Sequence, residues 1–393
     1  MIQTNSTELI YLDHSATTPV DERVVAAMLP FFGERYGNAS SQHTLGREAS
    51  RALDQSRQTV AAILRCRPAE VIFTSCGTES NNLALRGVAL AQRARGRGNH
   101  IVTTAIEHHA VLITAEEMRD HYGFELTVVP VDGDGIVSPQ AIADALREDT
   151  ALVSVMYANN EVGSIQPLAE IAAITRARGI PLHTDAVQAG GYLPLDVDAL
   201  GVDLLSLSAH KFYGPKGVGI LYVRGGTPLW PVQTGGGHER RRRAGTENIP
   251  YIVALATALQ IAQDEREEDG ARLTALRQRL IGELEATIPD IHLTGHYVRR
   301  LPGHASFIVR SVEAEGMLMG LDLAGICASS GSACTSGAQE PSHVLTAMGI
   351  SRRDAVGHLR LTLGRSTGAE DVDRVVSVLP GLVERLRALV PAG

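Results

Sequence analysis

Two lysines are the residues of this chain best placed to do chemistry. The sequence holds 36 basic residues, of which only Lys211 and Lys216 are lysine and the other 34 are arginine. Both lie in one stretch, SAHKFYGPKG, from Ser208 to Gly217. Arginine stays protonated, whereas a lysine amine can lose its proton, act as a base and form a Schiff base with an aldehyde. Lys211 follows the apolar run DLLSLS (203–208) at a predicted strand end, while Lys216 follows Gly214-Pro215 in a predicted turn. That placement favours Lys211 as the reactive amine and a solvated or structural role for Lys216.

Other polar residues share this placement. Ser75-Cys76-Gly77-Thr78 follows VIFT (71–74), and Glu107-His108 follows IVTTAI (101–106). Asn159-Asn160-Glu161 follows ALVSVMYA (151–158), and Asp185, then Gln188, follow IPLHT (180–184). Ligands of open α/β sheets bind beyond the carboxyl ends of the strands, so five such ends point to one shared site rather than to five separate caps. Gly77 and Thr78 at a predicted helix start suit a phosphate, although Thr78 also fits a plain N-cap; Ser208 and His210 add donors. His108 offers a ring to stack on an aromatic cofactor, Asp185 a partner for a ring nitrogen, and Lys211 an imine-forming amine. Together these are the parts of a pyridoxal phosphate site. A nucleotide site fits less well, because no GxGxxG follows the first strands and GPKGVG (214–219) is not a P-loop. A second centre is SSGSACTSG (329–337), where small residues surround Cys334. A thiol in such a stretch suits a nucleophile that travels between two positions. Cys327 in LAGICA reads as packed, and Cys76 lies beside the proposed phosphate cup.

These residues need a scaffold. Seven short apolar runs, adding LTVVPV (126–131) and VGILYV (218–223) to those above, alternate with helical patterns such as 47–65 and 165–178. Short buried runs between helices predict a mostly parallel sheet covered on both faces, hence an α/β domain. A helix pair, 250–267 and 271–287, leads to a smaller α+β part with ASFIVR (305–310) and HLRLTL (358–363). A last helix is predicted from about 369, with Thr367 and Glu370 at capping-box spacing and Pro380 expected to kink or break it.

Composition removes other classes. The chain has 393 residues, 44% hydrophobic and 20% charged, which is globular usage. Its 44 acidic residues exceed the 36 basic ones, giving a net charge of −8, which argues against direct nucleic-acid binding. No apolar stretch reaches membrane-spanning length, and no secretory pattern opens the sequence, so a cytoplasmic location is expected. Four cysteines without a CxxC pair read as thiols rather than disulfides. No metal is expected, since Glu107-His108-His109 lacks HExxH spacing.

The motifs YLDHSATTP (11–19), YGNASSQH (36–43), FTSCGTESNN (73–82), EHHAV (107–111), NNEVG (159–163), HTDAVQ (183–188), SLSAHKFYGPKG (206–217), GGGHERRRRAGTEN (235–248), SSGSACTSGAQEPSHV (329–344) and LRLTLGR (359–365) span nearly the whole chain. On these, the chain resembles the group I cysteine desulfurases, the NifS/IscS-like branch of the class-V aminotransferase family. The resemblance implies a fold-type I pyridoxal-phosphate transferase with a seven-stranded, mostly parallel sheet. It implies an N-terminal arm (1–20), a large domain (21–255) and a small domain (256–393) carrying the cysteine loop at about 326–340.

It further implies that Lys211 binds the cofactor and that Thr78, Ser208 and His210 hold its phosphate, with Gly77 beside them. His108 would stack on the ring and move protons, Asp185 would hold the ring nitrogen, and Gln188 and Asn160 would face the phenolic oxygen. Thr246 would reach the phosphate of the other subunit of a homodimer. Arg360, Asn38 and Asn160 would bind the substrate L-cysteine, and Cys334 would carry its sulfur. The partner would be a sulfur acceptor: an iron–sulfur scaffold, or a protein of nitrogenase maturation, tRNA thiolation or DNA sulfur modification. Two departures stand out. Cys76 replaces a small residue, and Arg240 to Arg243 form a run that reads as a solvated face or, more sharply, as a local contact to an acidic partner or nucleic acid. A same-fold aminotransferase or selenocysteine lyase shares Lys211 and Asp185 but does not depend on Cys334. A non-enzymatic interaction protein would bind no pyridoxal phosphate.

Overall fold

A computed structural model describes residues 9–331 and 341–389. A short strand, β1 (Ile10–Tyr11), comes first. Seven strands then form one sheet: β2 (Val71–Thr74), β3 (His100–Thr104), β4 (Glu125–Val129), β5 (Thr150–Ser154), β6 (Leu182–Asp185), β7 (Leu204–Ser208) and β8 (Gly219–Val223). They coincide with the seven apolar runs. Their order is β2-β8-β7-β6-β5-β3-β4, with only β8 running antiparallel to its neighbours. Hence β2 to β7 all end at the same edge.

Alternation along each strand divides the apolar residues between two layers. Val71, Phe73, Val102, Val153, Leu205 and Leu207 face one core, which helices Thr44–Leu64 and Ile249–Asp264 cover. Ile72, Ile101, Leu152, Leu204 and Leu221 face the other, under helices Gly77–Ala94 and His109–Tyr122. Strands buried on both faces must be apolar almost throughout, which explains why they read as continuous runs.

The remaining strands are β9 (Ile291–Leu293), β10 (His304–Val309), β11 (Ile326–Cys327) and β12 (His358–Thr362). β9, β10 and β12 form an antiparallel sheet in the order β12-β10-β9. Phe307, Leu359 and Leu361 from this sheet share a separate apolar core with Leu280 and Leu284 of helix Arg266–Thr287 and with Leu379 of the last helix. The first strand joins this part: β1 pairs parallel with β11, and the Thr362 N–H donates to Leu12 O at 2.7 Å. Among the described residues no helix is long and apolar enough to cross a membrane, and no His/Cys/Asp/Glu group could hold a metal ion.

The C-terminal helix departs from the sequence-based expectation twice. It runs from Ala369 to Leu389 as one helix that Pro380 does not break. Val372, Val375, Leu379, Leu382 and Val383 form a buried stripe on both sides of the proline. Each is worth about 1.5–3 kcal/mol on burial, which together outweighs the roughly 3 kcal/mol cost of an interior proline. The capping box does not form either. Thr367 Oγ1 instead accepts from the Gly364 N–H, and Asp371, not Glu370, accepts from the Gly368 N–H. Pro380→Ala should therefore raise the free energy of unfolding by about 1–3 kcal/mol. The check is a higher denaturant midpoint at unchanged slope. An unchanged or lower midpoint would mean that the proline does not oppose the helix.

Candidate active site

Lys211 ends a short 3-10 turn, Ala209–Lys211, directly after β7. Its Nζ donates to the carbonyls of Ser15 at 2.6 Å and Ala16 at 2.7 Å. The Ser15 carbonyl also accepts from Gln188 Nε2 at 3.0 Å. Thr18 donates to the carbonyl of His210 through both its N–H and its Oγ1, and Thr17 Oγ1 meets His210 Nδ1 at 3.2 Å. The segment after β1 thus lies along the lysine turn. Burial, helped by Lys211 and Lys216, pushes the His210 pKa down to about 4, so its ring is neutral at pH 7.

Asp185 closes β6 and is buried. Its Oδ2 accepts from Asn81 Nδ2 at 2.6 Å and its Oδ1 from the Val187 N–H at 3.0 Å. Asn81 lies on the helix that starts at Gly77. At that start, a Cβ on Gly77 would sit 2.7 Å from Val187 Cγ2 and 3.4 Å from Ser208 Cβ. Only glycine lets the helix end approach Val187 so closely, with Ser208 in ordinary contact beside it. Thr78 is exposed in the first turn, and the N-cap is Cys76, not Thr78: its Sγ accepts from the Glu79 N–H at 3.4 Å. The Glu79 carboxylate in turn accepts from Ser75 N–H and from Arg243. Within the arginine run, Arg243 is therefore ion-paired and Arg242 donates to Ala69 O, while Arg240 and Arg241 are exposed.

His108 caps helix His109–Tyr122, its Nδ1 accepting from the Ala110 N–H at 3.0 Å. That bond assigns the proton of the neutral ring to Nε2. Solvent reaches the ring, yet enough protein surrounds it that burial lowers its pKa; Asp185 opposes this, and Lys211 and His343 add to it. Beneath it, Glu107 is fully buried. Its Oε1 accepts from Thr104 Oγ1 at 2.7 Å and from the Met156 N–H at 2.8 Å, stapling the end of β3 to the end of β5. Asn159 repeats the link by donating to Ile106 O at 2.9 Å. Sequence reading placed Glu107 and Asn159 at strand ends but could not assign them this stapling role. The one available signal was a carboxylate directly after an apolar run.

Arg360, on β12, is buried with Nη2 on Asp13 Oδ1 at 2.8 Å and Nη1 on Asn160 O at 3.1 Å. Its Nε has no partner among the described residues. Asn160 thus reaches this cluster through its backbone. Among the described residues, neither Asn38 nor Thr246 hydrogen-bonds to this cluster. Both are exposed, and Asn38 Oδ1 accepts from the Ser40 N–H. Ser40 and Glu247, close to them in sequence, line one cavity of about 370 Å³. Cys334 lies outside the described residues. On either side of that segment, a Cβ on Gly331 would come within 2.9 Å of Glu161 Oε2, and Ser342 Oγ donates to the same oxygen.

The donor set fits pyridoxal phosphate. A lysine amine, a buried carboxylate, an aromatic ring and a glycine cradle at a helix start share one sheet edge. Asn81 Oδ1 and Ser15 Oγ, both buried beside it, have no partner among the described residues.

Burial pushes the Glu107 pKa up to about 8 against the pull of its Thr104 and Met156 bonds. An acid raised on folding stabilises the fold in its protonated form. That contribution is complete below its ordinary value of 4.5 and is lost as pH rises through about 8. Glu107→Gln keeps an acceptor and cannot ionise. Its melting temperature relative to wild type should therefore climb between pH 5 and pH 8.5; parallel pH profiles would exclude a neutral Glu107.

Residues 10–375 match the class-V aminotransferase family. A cysteine desulfurase IscS of Methanosarcina thermophila is 49% identical over 382 residues, covering 97% of this chain and 94% of that protein. Among solved structures, a NifS-like protein superposes with TM-score 0.89 at 38% identity, covering 96% of this chain and 100% of that one. SspA, solved in complex with cysteine, superposes with TM-score 0.79 at 33% identity, covering 90% of this chain and 98% of that one. The chain belongs to the class-V aminotransferase family, whose members of this kind are pyridoxal-phosphate-dependent, and within it to the cysteine desulfurases.

Proposed function

We propose that this protein takes sulfur from L-cysteine, releases L-alanine and holds the sulfur as a persulfide on Cys334. The convergence of Lys211 and Gln188 on the Ser15 carbonyl, at the sheet edge that also carries Asp185 and His108, is the observation that supports it most. Lys211, Asp185, Gln188, Asn160, His108, Ser208, His210, Gly77 and Thr78 would hold the cofactor. When bound, pyridoxal phosphate supplies an electron sink for the bond broken at the cysteine Cα.

The residues then divide the work. The Lys211 amine takes the Cα proton and later returns it. Asp185 keeps a proton on the ring nitrogen, and its hydrogen bonds from Asn81 and Val187 fix its direction. His108, neutral and protonated on Nε2, supplies a flat ring and a donor. Arg360 binds the substrate carboxylate, a role suited to a guanidinium fork, with Asn38 as a further substrate contact. The Cys334 thiolate attacks the substrate sulfur. An S–S bond forms as the Cβ–S bond breaks, the electron pair stays with the three-carbon fragment, and a proton at Cβ completes alanine. No outside oxidant or reductant is consumed.

Thr246 acts on the neighbouring subunit of a homodimer. Its exposure supports that reading. The persulfide passes to a sulfur-acceptor protein, an iron–sulfur scaffold or another thiolation partner, in the cytoplasm. The division into an arm (1–20), a large domain (21–255) and a small domain (256–393) belongs to the same proposal; the separate apolar cores support two domains, with Ala256 to Ala262 packed in the core of the larger one.

The two centres are separable. Lys211→Ala should leave no cofactor attached after borohydride reduction and denaturation, since Lys216 is the only other side-chain amine. An adduct that persists would move the assignment to Lys216. Cys334→Ser should keep the absorption of the bound cofactor and lose most alanine release from cysteine. Full turnover in that variant would point to a lyase or aminotransferase that needs no carrier thiol.

A further inference from the structure

The opposite edge of the main sheet carries a second cavity, of about 840 Å³. Arg95 and Arg97 precede β3, Arg147 precedes β5, Arg176 and Arg178 precede β6, and Arg224 follows the antiparallel β8. These six guanidiniums line the cavity with only two carboxylates, Glu148 and Asp203. The chain as a whole has a net charge of −8, so this local excess runs against its average.

Not every arginine there is available. Arg147 pairs with Glu125 and Asp149, and Arg224 with Asp198 at 2.7 Å and Asp203 at 3.5 Å. Arg95, Arg97, Arg176 and Arg178 pair with no carboxylate among the described residues. Two of these four are held by the backbone: Arg176 Nη2 donates to Gly201 O and Arg178 Nη1 to Leu146 O, each at 3.2 Å. A single bond of that kind orients a guanidinium and leaves other N–H groups to face a ligand. Arg–phosphate pairs use that fork geometry. The volume lies in the small-molecule range of about 300–1,000 Å³, which suits a short chain of phosphates rather than a nucleic-acid duplex.

We propose that this cavity binds an oligophosphate anion, as an inorganic chain or as the phosphates of a nucleotide, at a site separate from the desulfurase centre. The test is titration calorimetry on the cofactor-loaded protein at low salt, with inorganic tripolyphosphate, ATP and adenosine. Tripolyphosphate should bind once per chain, weaken as salt rises, and lose roughly tenfold or more in affinity in Arg95→Ala/Arg97→Ala and in Arg178→Ala. Alanine release by these variants should stay at the wild-type level. ATP binding tighter than tripolyphosphate would identify a nucleotide, and equal affinities would identify the phosphate chain alone. No binding of tripolyphosphate, or equal binding by wild type and both variants, would overturn the proposal.

Discussion

The Ser15 carbonyl receives two side-chain donors, Lys211 Nζ and Gln188 Nε2, and the candidate site is arranged around that contact. Residues 12–18 make it possible by spanning two cores. Leu12 is buried in the core of the smaller sheet and is bonded to Thr362. Asp13 pairs with Arg360, and Ser15 to Thr18 lie along the lysine turn. One segment, which turns at residues 14–16, therefore sets the position of Arg360 relative to Lys211. A net backbone hydrogen bond is worth only about 1 kcal/mol, so geometric registration matters here more than stability.

Desolvation then decides which groups carry charge. His210 and His108 are pushed toward the neutral ring and Glu107 toward the neutral acid, each chiefly by burial. Asp185, at the same edge, receives two N–H donors at its carboxylate oxygens. The histidine rings beside the Lys211 amine are then weak bases. Such an arrangement limits competing proton acceptors near the amine.

The same sheet presents different chemistry at its two edges. Beyond the carboxyl ends stand small, hydrogen-bonding and titratable residues, placed by close approaches such as Gly77 against Val187. Beyond the amino ends stand arginines, on loops where long side chains reach solvent. The high arginine content therefore has a local meaning at that edge which composition alone does not reveal.

Sequence alone determined the strands, because a strand buried on both faces must be apolar throughout and must stop where polar residues begin. It also determined which polar groups share an edge, since parallel strands all end on one side, and it singled out Lys211 by its place after a strand. Tertiary structure decided the rest. Ser15 and Lys211 are 196 residues apart, and nothing in either local pattern announces their contact. Asn159 and Asn160 look alike in sequence, yet one staples β3 to β5 by its side chain and the other meets Arg360 by its carbonyl. Cys76, not Thr78, caps its helix, and a buried apolar stripe carries the last helix past Pro380. Glu107 is pushed toward the neutral acid because its surroundings exclude water, and those surroundings come from distant parts of the chain. Periodicity and propensity report on neighbours within a turn or a strand. Burial and charge depend on what the fold brings from elsewhere.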